Sequence, residues 1–174
     1  DFYIDPTYPV NSALITHSHT DHARPGNKKI LGTSDTINIM KLRYGKNYCQ
    51  YSQKIEFGNF LRIKGVNIKF IPAGHIIGSS QIYLEYKGEV IIVSGDYKRR
   101  KDLTCDLFEV SKCHTFITEA TFGLPIFSHP NDTNETLKLI KSINDNSDYC
   151  HLIGVYALGK CQRFITLLRK LGFN

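Results

Sequence analysis

Six consecutive residues near the start of the chain, His17-Ser18-His19-Thr20-Asp21-His22, contain three histidines and one aspartate. The short apolar segment 13–16 precedes them and is typical of a buried strand. A strand that ends in such a loop brings several metal ligands together, and imidazole with carboxylate suits zinc or a similar transition ion. An unpaired Asp21 would also be costly to bury in a core. We therefore interpret the loop as a metal-binding segment rather than a polar loop with chance histidines.

Three more polar residues, His75, Asp96 and Glu119, each follow a separate apolar segment of the sequence. In layered α/β proteins the carboxyl ends of strands converge, so loops there can direct side chains toward one point. We therefore expect these residues to lie near His17. Taken singly, His75 is equally compatible with a buried structural histidine, and Asp96 with an ordinary turn residue.

The spacing of these residues is compatible with a site for two metal ions. His17 and His19 lie on the same side of an extended segment and could hold one ion together with His75. The chain turns before Asp21 and His22, which could hold a neighbouring ion. Asp96 could bridge the two because a carboxylate has two oxygens. Two metal ions held side by side in this way can clamp a phosphate group.

The remaining sequence predicts strands and three helices. Residues 51–94 are rich in strand patterns, and Leu152 to Val155 resembles a further strand. The predicted helices run from Ser34 to about Tyr44, from Asp132 to about Ile143 and from Lys160 to Leu171, with Ser34 and Asp132 as N-caps.

Composition limits the class of protein and its partners. The chain has 174 residues, 41% hydrophobic and 22% charged, as in a globular protein of one domain or slightly more. No apolar run is long enough to span a membrane. Five cysteines without a CxxC pair indicate free thiols in a reducing compartment, and we expect the cytoplasm. The net charge of +6 favours a polyanionic partner such as nucleic acid.

Several side chains are candidate phosphate ligands. A basic run follows Asp96, and its members could contact a phosphate backbone or simply form a solvated loop. A serine hydroxyl after His75 could donate to a phosphate or cap a turn. The start of the last helix could bind an anion or be an ordinary helix start. The residues concerned are Ser79, Lys98, Arg99, Arg100 and Lys160.

Three segments of the chain resemble the successive motifs of the metallo-β-lactamase superfamily: His17 to His22, Pro72 to Ser79 and Ser94 to Tyr97. Thr118 to Gly123 is similar to the first additional motif of its β-CASP nuclease branch, which includes the endonuclease of the mRNA cleavage and polyadenylation complex. Val155 to Arg163 resembles a segment of the inserted β-CASP domain. Within the branch, residues 94–98 and 119–127 are most similar to bacterial ligase-associated DNA exonucleases, also called mRNA 3′-end processing factor-like proteins.

The resemblance implies an α/β fold in which residues 1–124 form the first part of a metallo-β-lactamase αββα sandwich. Residues 125–174 would begin an inserted β-CASP domain. Two further histidine motifs of the branch would lie beyond that insertion. We therefore expect a longer enzyme. This chain alone would lack part of the second metal site, and with it the activity that depends on that site.

The resemblance also implies roles for individual residues. His17, His19 and His75 would bind a first Zn²⁺, Asp21 and His22 a second, and Asp96 would bridge them. Glu119 would orient a catalytic histidine. The implied catalytic residues of this chain are Asp21, Asp96 and Glu119.

The implied function is a zinc-dependent phosphodiester hydrolase, specifically a DNA exonuclease in repair that acts beside a DNA ligase and a helicase. One alternative is an RNA 3′-end processing nuclease of the same branch. A second is a nuclease-dead subunit that binds nucleic acid, although the six retained ligands argue against it. The Thr118 to Gly123 segment argues against a small-molecule hydrolase.

Overall fold

The structure, a computed structural model, describes residues 1–173. The chain divides into two compact units, Asp1–Glu119 and Ala120–Asn174. Asn174, the last residue of the predicted β-CASP segment 125–174, lies outside the described residues. The assignment of residues 1–124 and 125–174 to two named domains stays a prediction, because compactness alone does not identify a domain family.

The first unit begins with a parallel sheet and one helix. The strands of this sheet are β1 (Tyr3–Ile4), β2 (Ser12–Leu14), β3 (Lys29–Thr33) and β4 (Tyr51–Ile55), hydrogen-bonded in that order. All three pairings are parallel. Helix α1 (Ser34–Tyr44) follows β3 directly. Thr33 is its N-cap and accepts a hydrogen bond from the backbone N–H of Thr36, so the predicted helix is confirmed but Ser34 as its cap is wrong.

The second sheet of this unit is mixed. Its strands, also in spatial order, are β5 (Phe60–Ile63), β6 (Val66–Pro72), β7 (Ser80–Tyr86), β8 (Glu89–Val93) and β9 (Thr115–Ile117). The first three pairings are antiparallel, and β8 pairs with β9 in parallel. Consequently β6, β8 and β9 all point the same way, and their carboxyl ends share one edge.

Two hydrophobic clusters hold the first unit together. One joins α1 to the parallel sheet through residues such as Ile30, Ile37 and Met40. The other lies between the sheets and includes Leu31 and the fully buried Phe70. Helix, sheet and sheet therefore form successive layers, and the predicted mixed α/β class is confirmed.

The second unit contains helix α2 (Asp132–Asp145) and helix α3 (Lys160–Lys170). Asn131, rather than the predicted Asp132, caps α2 and accepts from the backbone N–H of Asn134. Asp132 instead forms an ion pair with Arg163 of α3. At the start of α2, Asn131 therefore caps the helix and Asp132 connects it to α3.

Two strand predictions need correction. Residues 152–155 form no strand, and Leu152 is 93% exposed. This segment is β-prone in sequence, but no described strand pairs with it, and an unpaired strand has no ladder hydrogen bonds to stabilise it. The apolar run from Val90 to Val93 predicts a fully buried strand, yet Ile91 of β8 is 37% exposed. Finally, none of the three described helices has the length and apolar composition needed to cross a bilayer.

Candidate metal centre

Loops at the ends of four strands supply the predicted site residues. His17 lies three residues after β2, His75 three after β6, Asp96 three after β8, and Glu119 two after β9. Since β6, β8 and β9 share a direction, their loops emerge at one edge of the mixed sheet. The parallel sheet places the carboxyl end of β2 beside them, because the backbone N–H of Ser80 donates to the carbonyl of Thr16 at 2.8 Å.

Three histidines and one aspartate converge at the centre of this edge. His19 Nδ1 lies 3.1 Å from His17 Nε2 and 3.2 Å from His75 Nε2. Asp96 Oδ2 lies 3.8 Å from His17 Nε2 and 3.6 Å from His75 Nε2. One ligand atom from each of these four residues lies within 4.8 Å of all the others. The structure therefore brings together the residues predicted for the first ion, with Asp96 among them.

His22 faces the other oxygen of the same aspartate. Its Nε2 lies 3.5 Å from Asp96 Oδ1 and 3.7 Å from Asp21 Oδ2. Asp96 thus presents Oδ2 to one group of imidazoles and Oδ1 to His22, as a bridging carboxylate would. Asp21 is the most exposed member, with 72% of its side chain accessible.

Asp5 is a site residue that sequence reasoning missed. Its carboxylate accepts from the backbone N–H of Thr16 at 2.8 Å and from Thr16 Oγ1 at 2.5 Å. It also contacts His22 Nδ1 at 2.8 Å. Asp5 directly follows β1, so the rule that singled out His75 and Asp96 would have found it too.

The Asp5 contacts fix the orientation of two imidazoles. Thr16 Oγ1 has one proton and gives it to Asp5, so its 3.0 Å contact with His17 Nδ1 requires the ring to donate. His22 Nδ1 likewise donates to Asp5. In the neutral form of both rings the unprotonated nitrogen is then Nε2, and each Nε2 faces Asp96. A carboxylate that orients histidines in this way is common around metal ions.

Burial and neighbouring charges set the protonation of the site. Burial, reinforced by the neighbouring imidazoles, lowers the pKa of His17 far below its usual value. Burial, followed by the charges of His19 and Lys98, lowers the pKa of His75 to about 4. Both rings are therefore neutral at pH 7 and offer lone pairs.

The pKa values of His22 and Asp96 are raised instead. Burial opposes protonation of His22, but the hydrogen bond and charge of Asp5 outweigh it and raise its pKa. Burial raises the pKa of Asp96, against the charge of His22. A bound cation would reverse these trends by favouring neutral imidazole and ionised carboxylate.

Two glycines let the ligand loops approach the rest of the unit. Gly95 has φ +54°, and a Cβ there would lie 2.7 Å from Thr16 Cβ. Gly74 has φ +73°, and a Cβ there would lie 2.3 Å from the carbonyl oxygen of Lys98. Each glycine comes one residue before a predicted ligand. Only glycine combines the positive φ of these positions with room for the neighbouring atoms.

Ser79 contacts the protein's own backbone. Its side chain is 2% exposed, and its Oγ accepts from the backbone N–H groups of His75 and Ile76 at 3.0 and 3.1 Å. The hydroxyl therefore stabilises the turn that carries His75. These contacts account for Ser79 without a phosphate.

Glu119 lies against the Asp96 loop. Its backbone N–H donates to Ser94 Oγ at 3.2 Å, and its Oε1 accepts from the backbone N–H of Tyr97 at 3.4 Å. The charge of Glu119 contributes to the pKa shifts of both His75 and Asp96. The structure thus brings Glu119 to the same region as the predicted ligands.

The predicted basic residues have different surroundings. Lys98 forms an ion pair with the buried Asp102, whereas Arg99 and Arg100 are exposed. In the second unit, the exposed Lys160 at the start of α3 has its Nζ 4.5 Å from the ring centroid of Tyr156.

The donor set fits a transition metal. Nitrogen lone pairs and a carboxylate that face one another repel unless a cation or a proton lies between them. Three imidazole nitrogens with one carboxylate oxygen are a ligand set that zinc accepts. Within residues 1–173 the groups with this geometry are His17, His19, His75 and Asp96, and the adjoining Asp5, His17 and His22.

No protein-family model matches the chain. Curated proteins do match it. The chain is 26% identical over 182 residues to a probable DNA ligase of Opitutus terrae, which covers 97% of the chain and 17% of that protein. It is 28% identical over 183 residues to an RNase J-like protein of Methanocaldococcus jannaschii, covering 91% of the chain and 43% of the relative.

A third relative is the cleavage and polyadenylation specificity factor 73 of Drosophila melanogaster. It is 33% identical over 122 residues, which are 67% of the chain and 18% of that protein. The chain thus spans less than half the length of each of these three relatives.

Among solved structures, a protein of unknown function from Enterococcus faecalis matches with a TM-score of 0.62 and 12% identity. The match covers 90% of this chain and 44% of that one, and it concerns the fold alone. The relatives in sequence and the metal-ligand motifs point to one family. The chain belongs to the β-CASP branch of the metallo-β-lactamase superfamily.

Proposed function

We propose that this chain carries the metal centre of a zinc-dependent nuclease that hydrolyses phosphodiester bonds. The observation that carries the proposal is the convergence of His17, His19, His75 and Asp96, whose ligand atoms lie within 4.8 Å of one another. Because two of these imidazoles are neutral at pH 7, they are ready to bind a cation without first losing a proton.

Each residue of the centre has a task in this proposal. His17, His19 and His75 would hold a first zinc, Asp21 and His22 a second, and Asp96 would bridge them. When bound, the metal supplies Lewis-acid stabilisation of the charge that develops on phosphate. Asp5 directs the Nε2 atoms of His17 and His22 at the site by holding the Nδ1 atom of each ring as a hydrogen-bond donor, in His17 through Thr16. Glu119 is held next to the Asp96 loop, where its carboxylate can orient a catalytic histidine.

DNA is the substrate that we propose, in the form of a strand end that is trimmed by exonuclease action during repair. The support is the similarity to a probable DNA ligase along 97% of the chain. A ligase and a helicase would then be the partners, and the cytoplasm the location. The net charge of +6 suits a polyanionic substrate of this kind.

RNA is the second candidate substrate, in 3′-end processing. The observation in its favour is the similarity to an RNase J-like protein and to a cleavage and polyadenylation factor. The two candidates share the metal centre and the phosphodiester chemistry, so only substrate comparison separates them.

The test combines metal content with hydrolysis. The zinc-loaded chain is incubated with end-labelled single-stranded DNA and with RNA of the same sequence. We expect His19→Ala to lose metal and to lower any hydrolysis by at least about 100-fold, since His19 contacts both other histidines. His129→Ala, at an exposed position in the second unit, is the matched control.

Unchanged zinc content and hydrolysis in His19→Ala would contradict the proposal. Zinc bound by a protein of the relatives' full length, without hydrolysis of either substrate, would favour the nuclease-dead binding subunit. Preference for DNA or RNA at equal metal content decides between the two substrates.

A further inference from the structure

The basic run after Asp96 contains one partly buried cation and three exposed ones. Lys98 has 21% of its side chain exposed and pairs with Asp102, which has 3% exposed. Arg99, Arg100 and Lys101 are exposed. The basic run is therefore not uniformly solvated, because Lys98 is held by its ion pair with the buried Asp102.

Asp102 is the centre of this arrangement. Besides Lys98, its carboxylate accepts from the backbone N–H of Thr104 at 2.8 Å and from Thr104 Oγ1 at 2.6 Å. Burial alone would raise the pKa of Asp102, but the hydrogen bonds from Lys98 and Thr104 lower it, so the group is ionised at neutral pH. A buried carboxylate with these partners constrains the backbone on both sides of it.

The segment 98–109, which contains the basic run, is also anchored at both ends to residues 72 and 73, just before His75. The backbone N–H of Lys98 donates to the carbonyl of Ala73 at 3.0 Å, and that of Glu109 donates to the carbonyl of Pro72 at 3.1 Å. Gln81 Nε2 donates to the carbonyls of Pro72 and Glu109 at 3.0 and 2.7 Å. The loop is thus joined to the metal centre by backbone contacts.

We propose that residues 98–102 form a preorganised phosphate-binding loop, in which the Lys98–Asp102 pair holds Arg99, Arg100 and Lys101 outward against the backbone of a single-stranded nucleic acid. The inference rests on the proposed function and adds to it the binding site of the substrate strand. Asp102 is a positioning residue in this loop. Lys98 pairs with Asp102 and stabilises the loop, and it does not itself bind the phosphate.

The reach of the loop suits this task. Arg99 comes three positions after Asp96 and Lys101 five positions after it, which limits their Cα–Cα distances from Asp96 to about 11 and 18 Å. A nucleic-acid strand carries about one phosphate per 3.4 Å of helix axis. The three cations can therefore meet phosphates a few nucleotides away from the one at the metal centre.

The first test measures binding without catalysis. The full chain, kept metal-free with a chelator, is titrated against a fluorescent single-stranded 12-nucleotide DNA and its RNA equivalent at several salt concentrations. The triple variant Arg99→Gln, Arg100→Gln, Lys101→Gln should reduce the slope of log K against log salt by about 2, at about 0.7 for each phosphate contact. The control variant removes three exposed lysines at the amino end of β3 and beside β6, and we expect it to keep the wild-type slope. Its substitutions are Lys28→Gln, Lys29→Gln and Lys64→Gln.

The second test uses Asp102→Asn, which raises the net charge of the chain. If affinity depended on net charge alone, this variant would bind more tightly. The loop that we propose predicts the opposite, a loss of roughly threefold to tenfold, because the cations must then be ordered on binding. A thermal unfolding curve checks that the variant is folded, and the triple glutamine variant tests the loop in any case.

The outcomes separate this inference from the proposed function. Equal salt slopes for the triple variant and its control, or tighter binding by a folded Asp102→Asn, would overturn the loop even if the zinc-loaded chain hydrolyses nucleic acid. A reduced slope in a chain that binds no zinc would support the loop while contradicting the metal centre on which the proposed nuclease rests. Different affinities for the DNA and RNA probes identify which backbone the loop prefers.

Discussion

The two units of the molecule differ most in what they bury. Every fully buried apolar side chain within residues 1–173 lies in the first unit, where two clusters enclose residues such as Met40, Ile68 and Phe70. In the described part of the second unit the buried residue is Thr136, while Leu137 and Tyr156 are 47% and 70% exposed. Secondary structure alone therefore does not indicate where the stability of this chain resides.

This difference explains why the metal centre is built on the first unit. Ligand atoms must be held within a few tenths of an ångström, which requires loops attached to a rigid core. Strands β2, β6 and β8 provide such a core, and the six predicted metal ligands lie in the loops that follow them, three to eight residues after the strand ends. The helices of the second unit have no comparable core among the described residues.

The largest expected effect contrasts a fully buried apolar residue of the first unit with a half-exposed one of the second. Phe70→Ala should lower the free energy of unfolding by about 3–5 kcal/mol because Phe70 is fully buried between the sheets. Leu137→Ala in α2 should change it by about 0.5 kcal/mol or less. Urea unfolding followed by circular dichroism measures both. Comparable losses in the two variants would show that the second unit has a core of its own.

A smaller effect concerns the orientation of the ligands. Asp5→Asn keeps the shape of the side chain but removes the charge that fixes His22 and, through Thr16, His17. We expect zinc affinity to fall by about 10- to 100-fold, as measured by competition with a chromophoric chelator. Asp145→Asn, on the exposed end of α2, should bind zinc as the wild type does. Equal affinities of all three proteins would mean that Asp5 has no orienting role.

In the metal-free protein, the free energy of unfolding should also depend on pH because of His75 in the first unit. The unfolded chain takes up a proton on His75 below its ordinary pKa of 6.5, whereas the folded chain does so only near the lowered pKa of about 4. The free energy of unfolding therefore falls as pH decreases through this window. His75→Gln should show a shallower fall between pH 6.5 and 4 and a constant difference from wild type above pH 7.5. Parallel curves over the whole range would refute the buried, neutral state of His75.

The smallest effect is expected in the second unit. Arg163→Gln removes the ion pair between α3 and Asp132 of α2, and partly exposed pairs of this kind contribute about 0–1 kcal/mol. Hydrogen exchange should accelerate in α2 and α3 and stay unchanged in β6 and β7. Arg169→Gln, an exposed position on the same helix, is the control. Faster exchange in the strands would show that the two units unfold as one.

Local sequence was sufficient where the structure depends on local chemistry. The bounds of α1 follow from a cap, a helical run and Gly45, and the pairs Gly74-His75 and Gly95-Asp96 mark places where a strand ends and the backbone turns sharply. For this reason the strand-end rule placed His75 and Asp96 correctly beside His17.

Tertiary context decided what local sequence could not. The segment 152–155 is β-prone but has no described partner strand, so it is not a strand. Ser79 and Lys98 carry the right chemistry for phosphate, yet each contacts a neighbouring group of the protein. The position of Asp5 after β1 could have marked it as a site residue, but its contact with His22, 17 residues away, depends on the tertiary fold.

The most direct test of the central claim is the zinc content of the purified chain after dialysis against zinc and then buffer, measured by elemental analysis. The wild type and His129→Ala should each retain at least one zinc per chain, and His75→Ala should retain much less. A wild-type chain without zinc, or a His75→Ala variant that retains as much zinc as the wild type, would contradict the metal centre described above.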